Sequence, residues 1–175
     1  MRRGSNPQKK EKLVTVITGH RIIVVVHIPN NQGFYKDSLE ILKLCLKSLI
    51  ETINKNAAIT VVNNGSTMTV SNYLIDLHRD KKIETLIHHT TNIGKVDAQI
   101  GAARGAREKL ITLSDSDILF KQGWQKNVEM VFSNFDNVGS VSPIPVRKGY
   151  DFGTSPVLKQ ILLKKIRFGF RPIPE

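Results

Sequence analysis

Leu110-Ile111-Thr112-Leu113-Ser114-Asp115-Ser116-Asp117 carries an apolar run directly into two carboxylates two positions apart. A short run of this kind reads as a strand, and the polar cluster marks where that strand leaves a sheet. The same grammar occurs twice upstream. Residues 21–28 run into Pro29-Asn30-Asn31-Gln32-Gly33, and residues 58–63 run into the turn sequence Asn64-Gly65-Ser66. Between these strands, Asp37 with Glu40 resembles a helix capping box, and Leu39, Leu42, Leu46, Leu49, Ile50 and Ile53 follow at helical spacing. Further helices are expected over residues 70–79, 94–109 and 123–132, with strands over 13–17 and 83–88 and an extended stretch over 138–143. Strands alternating with helices predict an α/β domain with a mostly parallel central sheet flanked by helices. In such sheets ligands bind in the crevice at the carboxyl ends of the strands, where all three polar clusters fall.

The chain of 175 residues, 40% of them apolar, suits one compact domain. Its longest apolar run, within residues 22–28, is far shorter than the ~20 residues that span a membrane. The basic N-terminus lacks the apolar stretch of a secretion signal, so the cytoplasm is the expected setting. Cys45, the one cysteine, sits among Leu42, Leu44, Leu46 and Leu49 and reads as a buried, inert thiol. The net charge of +11 is concentrated at the ends. Residues 1–12 hold five basic and one acidic side chain, residues 147–175 seven and two, and everything between them fourteen and twelve. Residues 1–12 therefore read as a basic flexible tail, 13–146 as the folded domain and 147–175 as a basic extension. Such ends can touch anionic lipid or RNA, but a solvated tail is the simpler reading, and nucleic acid is not the expected partner. Residues 157–168 can form an amphipathic basic helix, which lies on a membrane or packs on protein; packing is favoured.

On an extended backbone Asp115 and Asp117 point to one side, where they repel unless a cation stands between them. Oxygen-only ligands favour Mg²⁺ or Mn²⁺, which also bind phosphates. The plainer alternative is a carboxylate pair at the start of the next helix. Lys95 follows Asn92-Ile93-Gly94 at the opening of an Ala-rich helix. A lysine gains nothing from the macrodipole there, but with free backbone N–H groups it suits an anionic phosphate; an ordinary exposed lysine is the competitor. Other signals are set aside. His88 and His89 point to opposite faces of a strand, and His20, His27 and His78 read as structural or exposed. Gly94-Lys95 lacks the rest of a Walker loop. The small residues from Ala98 through Gly105 read as close packing, and Trp124 reads as a core anchor or the wall of an acceptor site.

Taken in order, the turn at Pro29, the run Val61-Val62-Asn63-Asn64-Gly65-Ser66, the helix start Asn92-Ile93-Gly94-Lys95 with Ala98, and Asp115-Ser116-Asp117 resemble the family 2 glycosyltransferases. The resemblance covers roughly residues 22–145, most of the chain. It implies a single Rossmann-like GT-A domain over 13–146. It also implies inverting transfer of a sugar from a nucleoside diphosphate, a UDP- or GDP-sugar, with Mn²⁺ or Mg²⁺ on the diphosphate. By position, Pro29 and Asn30 would border the nucleobase, Asn63 would face its edge, and Gly65 and Ser116 would line the donor. Lys95 would lie near the phosphates or base, Asp115 near the ribose or metal, and Asp117 on the metal. Two departures stand out. Asn63 occupies a position where the family carries an aspartate that accepts from the base, though an amide oxygen can still accept. No catalytic base is assigned: family members carry an acid well downstream, whereas after Asp136 the only acids are Asp151 and Glu175. The resemblance thus implies a donor-binding half, with residues 147–175 a remnant of the acceptor region. Its acceptor would be a saccharide or a lipid-linked group, at the inner face of a membrane. The alternatives are a non-catalytic donor-binding module and a basic nucleic-acid or membrane-surface binder.

Overall fold

The computed structural model describes residues 18–142. Strands and helices alternate as β1 (His20–Val26), α1 (Ser38–Thr52), β2 (Ala57–Asn64), α2 (Met68–Arg79), β3 (Thr85–His89), α3 (Lys95–Arg104), β4 (Leu110–Ser114) and α4 (Trp124–Asn134). The four strands form one parallel sheet in the order β3-β2-β1-β4. The chain first steps outward from β1 through β2 to β3 and then returns to the other side of β1. The expected α/β, Rossmann-like architecture is therefore the one observed. In parallel α/β sheets a reversal of strand order, here beside β1, is where ligands bind, at the carboxyl ends of the strands.

Strand alternation divides the core between the two faces of the sheet. On one face Ile22, Val24, Val26, Ile59 and Val61 pack against Leu42, Leu46 and Leu49 of α1 and Val70, Leu74 and Leu77 of α2. On the other, Ile23, Val25 and Val62 meet Ala98 of α3, with Ala102 and Ala103 beside it. The two central strands are apolar on both faces because helices cover both. Trp124 is a core anchor: its indole N–H donates to Thr52 Oγ1 at 3.1 Å and its ring lies against Phe120 and the buried His20.

An ionic brace, buried at Arg21 and Glu108 and exposed at Glu84, stands at the amino end of the sheet. Arg21 of β1 reaches Glu84, ahead of β3, and Glu108, ahead of β4, and donates to Thr60 Oγ1 at 3.2 Å. Burial alone would push the Glu108 carboxyl up. The Arg21 hydrogen bond, its backbone N–H partner, the Thr18 hydroxyl and the Arg21 charge outweigh it and hold the group at about 2.

Several local expectations change. Asp37 sits at the N-cap of α1 without capping it, and Glu40 pairs with Lys43 at 2.7 Å instead. A capping side chain needs an extended backbone, and Asp37 at φ −105°, ψ 5° follows a 3-10 turn that is already nearly helical. Helix α3 stops at Arg104 rather than running to residue 109, because Gly105 and Ala106 fold back on Ala102 and Ala103 carbonyls. Strand β3 begins two residues late, since Ile83 is drawn into the core below it. Gly101 faces open space, so close packing belongs to the alanines alone. No strand forms over residues 138–142. The strand expected at 13–17, the tail at 1–12 and the extension at 147–175 with its amphipathic stretch lie outside the described residues. The chain divides into two units at Asn127 and Val128, within α4. The first contains all four strands. The described part of the second is the end of α4 and the segment to residue 142.

Candidate functional site

At the carboxyl end of the sheet, three loops are tied together by short polar side chains. Ser66, just past β2, accepts from the Ile28 N–H at 3.0 Å and donates to the Val26 carbonyl at 3.4 Å, which joins the turn to the loop that carries Pro29. Asn64 is 1% exposed and works in the other direction. Its Nδ2 donates to Asn92 Oδ1 at 2.8 Å and to the Gly94 carbonyl at 3.3 Å, while its Oδ1 accepts from the Ile93 N–H at 3.0 Å. Asn92 Oδ1 also accepts from the Gly94 N–H at 2.8 Å. The loop before α3 is thereby clamped onto β2. Gly65 permits the approach: at φ +71° a Cβ would lie 2.7 Å from the Asn92 nitrogen. Gly94, at φ +92°, then turns the chain into α3.

That clamp fixes where Lys95 stands. As the first residue of α3 it forms an ion pair with Asp115, the residue immediately after β4. Both side chains remain about half exposed, at 57% and 48%. Beneath the pair lies Cys45 of α1, whose thiol donates to the Asp115 carbonyl at 3.8 Å. Burial is the main reason that thiol is pushed up to about 11; the charges of Asp117 and Asp115 add to it, against an opposing hydrogen bond with the Ile118 backbone. Cys45 is thus buried and inert, as expected, yet it supports the acidic turn.

Asp115 has left the strand, and Ser116-Asp117 form a turn. The alternation of an extended strand therefore does not govern their directions, contrary to the expectation that both point to one side. Ser116 is half-buried and Asp117 exposed. Pro29 and Asn30 are exposed on the loop after β1, where Asn30 Oδ1 accepts from the Gln32 N–H at 2.9 Å. Asn63 is 2% exposed and bonded to Ser66, Ser71 and His88. The structure thus joins Lys95 to Asp115 and Asn63 to Ser66, beside the loop of Pro29. The roles of Asn64, Ser66 and Cys45 escaped the sequence reading, although Asn64 and Ser66 lie inside the motif it quoted.

Among the described residues no three His, Cys, Asp or Glu side chains converge as a cage for a metal ion. Asp115, Asp117 and the Ser116 hydroxyl between them supply an all-oxygen set of ligand types. That set fits Mg²⁺ or Mn²⁺, which complete their shells with water and substrate phosphate. No described helix is long and apolar enough to cross a membrane.

The sequence profile of glycosyl transferase family 2 matches residues 34–173. No curated protein sequence is similar to the chain. The mannosyltransferase PcManGT from Pyrobaculum calidifontis, solved in complex with GDP-Man and Mn²⁺, superposes with a TM-score of 0.59 at 20% identity over 82% of this chain. Residues 1–349 of S. aureus TarS superpose with a TM-score of 0.54 at 16% identity over 72% of it. The chain spans 42% of the mannosyltransferase and 39% of that TarS fragment. At these identities the two structures establish likeness of fold. With the profile matched over most of its length, the chain belongs to glycosyl transferase family 2.

Proposed function

We propose that this domain binds a nucleoside diphosphate sugar, a UDP- or GDP-sugar, at the carboxyl rim of the sheet and serves its inverting transfer to a saccharide or lipid-linked acceptor. The observation that carries the reading is the Lys95–Asp115 pair, held at the strand-order reversal by the Asn64 clamp. Asp115 and Asp117 would hold Mn²⁺ or Mg²⁺, which when bound neutralises charge on the departing diphosphate. Lys95 and the N-terminus of α3 attract the same phosphates. Ser116 and the Gly65 backbone line the donor, Pro29 and Asn30 border its base, and Asn63 holds the base side of the pocket in shape. The mannosyltransferase of similar fold, with its GDP-Man and Mn²⁺, supports this choice of ligand. The same proposal puts the protein in the cytoplasm, at the inner face of a membrane where lipid-linked acceptors reside.

Calorimetric titration with UDP and GDP tests the reading. Binding in Mn²⁺ that disappears in chelator and in folded Asp117→Ala supports it; no nucleotide binding with metal present refutes it. Transfer to offered acceptors then separates an active enzyme from a donor-binding module.

A further inference from the structure

His88 is idle in the reading above, yet it stands beside Asn63 in the parallel register of β2 and β3. The Asn63 carboxamide has a determined orientation, because its Oδ1 accepts from the Ser66 N–H at 3.1 Å. Its Nδ2 therefore faces Ser71 Oγ at 2.8 Å and His88 Nδ1 at 3.1 Å. An amide nitrogen only donates, so His88 Nδ1 is the acceptor and the neutral ring carries its proton on Nε2. Ser71 passes its own hydrogen on to the Thr67 carbonyl at 3.1 Å. Both Asn63 donors and one Oδ1 lone pair are thus engaged inside the protein. A carboxylate at position 63 would offer acceptors to a base. This cluster instead presents a donor, the Nε2–H of an exposed imidazole.

We propose that His88 is a specificity-determining residue, giving Nε2–H to the exocyclic oxygen of an oxo base such as uracil or guanine. Cytosine and adenine carry an amino group at the equivalent position, and two donors facing each other leave both unpaired. The inference rests on the nucleotide-sugar reading of this rim.

The test is calorimetry in Mn²⁺ on the full chain with UDP, GDP, CDP, ADP and pyrophosphate. UDP or GDP should bind ~10-fold or more tightly than CDP and ADP, the scale of one polar group left unpaired. His88→Ala should abolish that preference and leave pyrophosphate affinity unchanged; the exposed position keeps the variant folded, which circular dichroism verifies. His88→Gln, whose amide can still donate, should restore part of the preference. Nucleotide binding with no preference in the native chain, or a preference that survives His88→Ala, overturns the role of His88 alone. Failure of every ligand, pyrophosphate included, takes down the nucleotide reading and this inference with it.

Discussion

The two ends of the sheet both carry charge, and they treat it oppositely. At the amino end Arg21 is 14% exposed and Glu108 2% exposed, so this pair is compensated inside the protein, while Glu84, the second partner of Arg21, stays 58% exposed. At the carboxyl end Lys95 and Asp115 pair at the surface, with Asp117 exposed beside them. A buried ion must be compensated within the fold, because the interior cannot solvate it. An exposed ion carries no such obligation and can exchange its partner for a ligand at small cost. The amino-end brace therefore belongs to the architecture, and the carboxyl-end charges are available for chemistry.

The strongest way to break this contrast is to truncate one member of each pair. Arg21→Ala should cost ~3–5 kcal/mol of unfolding free energy, the penalty of a stranded buried carboxylate, read from urea denaturation. Lys95→Ala should cost less than ~1 kcal/mol. Equal losses would erase the distinction. Acid sharpens the same point. Glu108 is held at about 2 against an ordinary 4.5, so its stabilisation is complete above 4.5 and is lost as pH falls toward 2. The loss should reach about 3 kcal/mol, and Glu108→Gln should flatten that part of the stability–pH curve. A Glu108→Gln curve parallel to the native one would mean the brace does not hold. A smaller effect belongs to the carboxyl rim, where conformation rather than charge is under constraint. Gly65→Ala, forced into positive φ against the Asn92 backbone, should cost ~1–3 kcal/mol and speed hydrogen exchange in residues 90–94. Unchanged exchange there would show that the loop is not clamped to β2.

The two regions were also unequally legible in the sequence. Strand β4 was read at its observed bounds because Leu110 through Ser114 form a short apolar run closed by carboxylates. The core face of α1 followed from the spacing of Leu42, Leu46 and Leu49, all buried. The motifs at the carboxyl rim were visible because each sits locally at a strand end. What could not be read were partners distant in the chain. Glu108 meets Arg21 across 87 positions, and nothing near either residue announces it. The Asn64–Asn92 clamp and the Asn63–His88 contact likewise depend on strand register, which no single segment encodes. Adjacent positions tell only that His88 and His89 point to opposite faces; the contact of His88 with Asn63 appears only in the folded chain. The capping box at Asp37 failed for a related reason: the spacing was right, but the preceding turn had already set the backbone.

In the proposed site Asp115 and Asp117 hold a cation against a diphosphate, and paramagnetic resonance of Mn²⁺ reads that capture. Free Mn²⁺ gives a strong signal that falls when the ion is captured. With UDP or GDP present the native chain should lower that signal beyond the nucleotide alone, and folded Asp115→Asn/Asp117→Asn should not. Equal capture by the native chain and the double variant would contradict the account.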